Sequence, residues 1–192
     1  MGSYLGVDRM RRRHFLQVLA AGSAAMLVPS PVWAEILTNG REVAFECLGD
    51  KPGLRWLDGR TASATVGLVD RVRIKTYSGT KWRIYNNHDG TVGLQCRGVV
   101  DGPRWLDGRT ANGTVGLAPN RNPPFSGTRW QVVEFDGDVI ALKCLGSIEG
   151  NRWLDGRTVT GSVGLAPNTD PPFTGARWRV SSYPVCIDQS CD

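Results

Sequence analysis

The side chains able to do chemistry in this sequence are few, and most of them recur. Only two histidines are present, His14 and His88. His14 sits in a basic N-terminal stretch, so a nucleophile needing an imidazole base would depend on His88 alone. His88 lies in Asn86-Asn87-His88-Asp89-Gly90, the composition of a solvated turn. Neither Gly-x-Ser-x-Gly nor His-Glu-x-x-His occurs. The recurrent carboxylates are Asp58, Asp107 and Asp155. One per copy on three lobes gives three equivalent sites, not the acid and base pair of a glycoside hydrolase. No catalytic residue and no cofactor are expected, and the chain is read as a non-enzyme. Cys47, Cys96 and Cys144 stand at matching offsets but lack the close Cys-x-x-Cys spacing of zinc sites. They are expected as small buried hydrophobes, with no metal. Cys186 and Cys191 are candidates for a local disulfide in an oxidising compartment.

The recurrent Asp belongs to a longer motif. Arg55 to Thr61, reading Arg-Trp-Leu-Asp-Gly-Arg-Thr, returns unchanged as Arg104 to Thr110 and as Arg152 to Thr158. Along a strand, alternate residues share a face. With Leu57 pointing in, Trp56, Asp58 and Arg60 point out, as do Trp105, Asp107, Arg109 and Trp153, Asp155, Arg157. An exposed indole offers a flat apolar face to the C–H groups of a sugar, while Asp accepts and Arg donates hydrogen bonds to hydroxyls. Three such sites would give avidity on a polymeric glycan. The same residues also suit a structural corner. The Trp would then pack over a neighbouring hairpin, the Asp would accept local backbone N–H bonds, and the Arg would pair with the Asp.

The elements that position this motif follow from period-two alternation. Val43, Phe45 and Cys47 alternate with small or polar residues, as do Val92, Leu94, Cys96 and Ile140, Leu142, Cys144. Val66-Gly67-Leu68 recurs as Val115-Gly116-Leu117 and Val163-Gly164-Leu165, and Trp82, Trp130 and Trp178 are spaced 48 residues apart. Asp89-Gly90 and Asp136-Gly137 mark tight turns between copies. The third strand leads into a long loop, Pro-Pro-Phe in copies two and three but the basic run Asp70 to Lys75 in copy one. Three units of four strands suit a closed barrel capped by hairpins rather than a propeller, which uses at least four blades. The expected fold is all-β, a β-trefoil of three four-stranded repeats with pseudo-three-fold symmetry. Its core in copy two would be Val92, Leu94, Cys96, Leu106, Val115, Leu117, Trp130 and Val132.

Trp-Leu-Asp-Gly, then Gly-Thr-Val-Gly-Leu, then Gly-Thr-Arg-Trp-Gln-Val resembles the trefoil repeats of the fascin-like and ricin B-like superfamilies, the fascin-like variety more nearly. The Gln-x-Trp of ricin-type repeats is absent: the matching segments read Lys81-Trp82-Arg83, Arg129-Trp130-Gln131 and Arg177-Trp178-Arg179. The resemblance therefore implies the fold, and not the galactose-type sugar site of that family.

The N-terminus reads as an address. Arg12-Arg13-x-Phe15-Leu16 precedes a moderately apolar run from Val18 to Val28, too short for an ordinary transmembrane helix, and Val32-Trp33-Ala34 offers a cleavage site. The run resembles the twin-arginine signal, which implies bacterial export to the periplasm or beyond. Residues 1–34 are expected to be removed, leaving 35–192 as one domain, with repeats at about 41–88, 89–136 and 137–183 and a tail at 184–192. The formal charge is +5, but residues 35–192 hold 19 basic and 17 acidic residues. That balance gives little support to nucleic-acid binding. The function expected is a secreted, lectin-like carbohydrate-binding module acting as a monomer. The alternative is a protein-binding or protease-inhibitor-like trefoil acting through its loops.

Overall fold

The computed structural model describes residues 32–71 and 78–183. Most of the expected export signal, the stretch 72–77 of the first long loop and the Cys186–Cys191 pair lie outside the described residues. A short helix, α1 (Val32–Ile36), leads to Leu37, which enters the core.

Twelve strands follow among the described residues. They are β1 (Glu42–Cys47), β2 (Trp56–Arg60), β3 (Thr65–Val69), β4 (Trp82–Asn87), β5 (Thr91–Cys96) and β6 (Trp105–Arg109), then β7 (Thr114–Ala118), β8 (Trp130–Asp136), β9 (Val139–Cys144), β10 (Trp153–Arg157), β11 (Ser162–Ala166) and β12 (Trp178–Ser182). Antiparallel pairing runs β1–β4–β5–β8–β9–β12 and returns from β12 to β1, so six strands close on themselves. Closure leaves no open edge along that ring. The hairpins β2–β3, β6–β7 and β10–β11 stand off it. They pair with one another through β3–β7, β7–β11 and β11–β3. A closed barrel with a triplet of hairpins is a trefoil-like, all-β fold.

The alternation read from the sequence sets the interior. Val43, Phe45 and Cys47 of β1, Leu94 and Cys96 of β5, and Ile140, Leu142 and Cys144 of β9 are fully buried. Trp82, Trp130 and Trp178 are fully buried too. Each indole N–H finds a partner at 3.0 Å, the carbonyl of Leu57, Leu106 or Leu154. A buried indole needs such a partner. Of the core expected in copy two, Val115 and Val132 are only partly buried against the cluster.

The hairpin triplet is locked by backbone bonds at its turns. Leu117 N–H donates to Ala64, Leu165 N–H to Gly113 and Leu68 N–H to Gly161, at 2.8–2.9 Å. The accepting residue is left-handed each time, with φ of 56° at Ala64, 69° at Gly113 and 70° at Gly161. Only the first carries a Cβ there, where an L side chain is strained.

Two stability tests follow. Ala64→Gly is expected to raise stability by up to about 1 kcal/mol, relief of left-handed strain outweighing the added freedom of the unfolded chain. A lower midpoint in urea would show that the turn is unstrained. Gly108→Ala is expected to cost about 1–3 kcal/mol by overpacking, because a Cβ there would lie 2.7 Å from Cys144 Sγ and 3.1 Å from the Trp130 ring. Partial recovery in a Gly108→Ala, Cys144→Ala double variant would assign the cost to that contact.

Candidate functional site

The repeated motif is used residue by residue. Its first Arg clamps the loop before it: Arg55 Nη1 donates to the carbonyls of Cys47 and Gly49, Arg104 to those of Cys96 and Gly98, and Arg152 to those of Cys144 and Gly146. The Leu fills the core. The Gly lies under the next unit's Cys and its own unit's Trp, where a Cβ would meet Sγ at 2.7 Å in all three copies. The thiols of Cys96, Cys144 and Cys47 donate to the carbonyls of Gly59, Gly108 and Gly156 at 3.3–3.4 Å. The final Thr ties its hairpin to the next unit's loop, from Thr61 to the Val100 carbonyl, Thr110 to Ile148 and Thr158 to Lys51.

The Asp and the last Arg are left facing a cleft, one per unit. The first is lined by Asp58, Arg60, Thr61, Ser78 and Val100, with a volume of about 160 Å³. In the second, Asp107, Arg109 and Ser126 stand with Phe125 and Ile148, in about 180 Å³. Asp155, Arg157 and Thr174 line the third, with Lys51 and Val159, again in about 180 Å³. Each carboxylate lies against the glycine of a 3₁₀ turn (Ser78–Thr80, Ser126–Thr128 or Thr174–Ala176), where a Cβ would come within 2.6–2.8 Å of its Oδ1. The Asp side chains are 9–11% exposed and the Arg side chains 53–63%. Their Nε–Oδ2 separations of 3.7, 3.8 and 4.0 Å are longer than a direct hydrogen bond. Each cleft thus has a carboxylate floor, a guanidinium wall and an apolar rim.

This arrangement corrects the expected open face. Asp58, Asp107 and Asp155 are buried rather than solvent-facing. Trp56 is buried as well, packed with Ala44, Val69 and Tyr183. Trp105 is half-buried, with Tyr85 tilted against it at 4.9 Å and the Arg121 guanidinium 4.5 Å from its ring centre. Trp153 is half-buried under Lys143, whose ammonium lies 5.5 Å away. None of the three indoles lines a cleft. Alternation assigns a face but not its depth, and neighbouring strands cover the indoles. Arg60, Arg109 and Arg157 are exposed as expected. Sequence reasoning missed the 3₁₀ turns, although Ser-Gly-Thr, Ser-Gly-Thr and Thr-Gly-Ala precede the three core tryptophans at one fixed offset. Cys47, Cys96 and Cys144 are free and buried as expected, and His88 is exposed in its turn.

Solved structures share this fold at low identity. A salivary protein from Culex quiquefasciatus, of the Cysteine and Tryptophan-Rich family, matches with a TM-score of 0.53 and 14% identity, over 74% of this chain and 94% of its own. A protein described as a BEL β-trefoil matches at 0.58 and 13%, over 78% and 98%. A GlcNAcα1-4Gal-releasing endo-β-galactosidase from Clostridium perfringens matches at 0.54 and 14%, over 73% of this chain but 32% of the enzyme. The fold is therefore shared with a β-trefoil. No family model matches the chain, and no curated protein does. Among the described residues no helix is long and apolar enough to cross a membrane.

Burial sets the electrostatics of the clefts. Desolvation pushes Asp58, Asp107 and Asp155 above the ordinary aspartate range, and the facing Arg pulls each only part of the way back. Burial also pushes the Cys47 and Cys96 thiols up to about 11, so neither is a ready nucleophile. A carboxyl raised on folding favours the folded state at low pH, and that contribution is lost as pH rises through the folded value. Asp107→Asn removes the buried charge. It is expected to be at least as stable as the parent at pH 7, with an advantage that closes as pH falls into the ordinary aspartate range. Urea midpoints between pH 4 and 7 check this; an advantage that widened on acidification would reverse the assigned sign.

Proposed function

We propose that this chain is an exported, non-catalytic carbohydrate-binding module, in which each of three four-stranded repeats carries one sugar cleft. Residues 1–34 would be the export signal, of twin-arginine type, and 35–192 the working domain, in the periplasm or outside the cell. The observation that carries the reading is the threefold recurrence of a cleft that pairs a buried Asp with a splayed, exposed Arg beneath an apolar rim. An ion pair held beyond hydrogen-bonding distance keeps acceptor and donor capacity for a guest, and a sugar hydroxyl uses both at once. Val100, the pair Phe125 and Ile148, and Val159 supply apolar surface for ring C–H groups, the usual balance of a small-molecule site. Each cleft is rimmed by an apolar residue exposed by more than half, Val100 at 54%, Ile148 at 60% and Val159 at 70%. The endo-β-galactosidase that shares the fold acts on a glycan, which agrees with this reading.

The alternative is a protein-binding trefoil. Val99, 81% exposed in the loop between β5 and β6, favours it.

Retention on immobilised polysaccharides separates the two. Asp107→Asn is expected to weaken retention on a polymer about tenfold or more through lost avidity, and Asp58→Asn, Asp107→Asn, Asp155→Asn together to abolish it. Trp153→Ala, outside the clefts, is expected to leave retention within about twofold of the parent. Retention that survives the triple change and fails with Val99→Asp would move the function to the loops.

A further inference from the structure

The three barrel seams equivalent in the pairing pattern are not chemically equivalent. Glu42 of β1 lies opposite Arg83 of β4, whereas the residue before the Val92–Trp130 pair is Thr91, and Val139 of β9 lies opposite Arg179 of β12. Among the described residues, only the first seam collects three cations around one acid. Lys81 Nζ lies 3.4 Å from Glu42, Arg83 Nη2 2.8 Å and Arg97 Nε 3.6 Å. Burial alone would push the Glu42 carboxyl up, but Arg83 and Lys81 overcome it and hold the group below its ordinary value. Among the described residues, one carboxylate against three cations leaves the cluster with an excess of two positive charges.

Two features show that the cluster is not a closed structural ion pair. Lys81, Arg83 and Arg97 keep 30–35% of their side-chain surface exposed. Arg83 Nε is buried with no hydrogen-bond partner. A buried N–H left unpaired has lost its hydration without recompense, and such a group calls for a partner. Gln95 Oε1 holds Arg97 Nη1 and the Tyr85 hydroxyl at 3.2 Å, so the guanidinium and the phenol are already oriented. The rest of the fold does without this arrangement, since the other two seams close around Thr91 and Val139.

We propose that the seam formed by Lys81, Arg83 and Arg97 binds an anionic substituent, the carboxylate or sulfate of an acidic glycan, so that the polymer held by the clefts is charged. This rests on the carbohydrate reading above for the source of the anion. The site takes a planar carboxylate or a tetrahedral sulfate through charge-assisted N–H bonds, for which Arg is suited. Glu42 keeps the three cations converged in its absence.

The test uses the full chain and five probes: dextran sulfate, neutral dextran, polygalacturonate, its neutral methyl ester, and duplex DNA. The parent is expected to bind at least one acidic polymer about tenfold more tightly than its neutral counterpart, with an affinity that falls as salt rises. Lys81→Gln with Arg97→Gln, checked for folding by its melting curve, is expected to lose about tenfold on the acidic polymer and nothing on the neutral one. The dextran sulfate and polygalacturonate arms tell sulfate from carboxylate. Equal, salt-independent binding of charged and neutral forms would overturn the inference and leave the clefts standing. Unchanged acidic binding in the double variant would overturn it, as would equal affinity for DNA. Acidic binding that survives Asp58→Asn, Asp107→Asn, Asp155→Asn but fails in the double variant would support this seam while removing the clefts.

Discussion

The structure depends on one close approach, repeated three times: the glycine of Asp-Gly-Arg beneath a cysteine from the next unit. At Gly59, Gly108 and Gly156 there is no room for a methyl group, since Sγ would stand 2.7 Å away and a tryptophan ring 3.1 Å away. The thiol above and the indole beside it both use backbone carbonyls of that strand, the Gly and the Leu two residues earlier. Each hairpin is thereby fixed to its neighbour through core residues rather than through its exposed turn. The interior of a protein tolerates little change of volume at such points. The position of the Asp follows: it stands one residue before a glycine that cannot move, under a 3₁₀ turn whose own glycine has no room either. Gly79, Gly127 and Gly175 would bring a Cβ within 2.0–2.1 Å of the carbonyls of Gly59, Gly108 and Gly156. The clefts are the space left by this packing.

Much of the fold was legible because its signals are local or periodic. Alternation gave the buried faces of β1, β5 and β9, and the turn glycines and Asp-Gly pairs gave the hairpins. The exact spacing of Trp82, Trp130 and Trp178 gave three equivalent core positions. The depth of the motif was not legible. Alternation puts Asp58 on the face opposite Leu57, but its burial depends on Gly79, twenty-one residues later. Trp56 is covered by Tyr183 from the far end of the chain, a contact that only closure of the barrel creates. The Glu42 seam is less legible still. Its residues come from β1, β4 and the segment on either side of β4 and β5, and no spacing rule joins positions 42, 81, 83 and 97.

Exported sugar binders and structural trefoils need the same scaffold, so a scaffold alone does not choose between them. Neighbours at 13–14% identity share the fold and no more than that. The question is which side chains the scaffold leaves over. Most of the seven-residue motif is consumed: Arg55 by carbonyls, Leu57 by the core, Gly59 by close packing and Thr61 by the next loop.

The last Arg is different. Arg60, Arg109 and Arg157 are more than half exposed and meet their Asp only at 3.7–4.0 Å. The exposed residues beside them change in the third copy: Val159 stands where the others have Ala62 and Ala111, and Ser162 where they have Thr65 and Thr114. If recent duplication alone explained the identity of the Arg, these neighbours should match equally well. If packing explained it, Lys would serve over the glycine of the adjacent strand nearly as well, its stem being as long. A planar fork of five donors is what Lys lacks. Three identical forks above three identical carboxylates therefore point to a shared geometric demand in the clefts, one that a guest with adjacent hydroxyls, as proposed above, would impose.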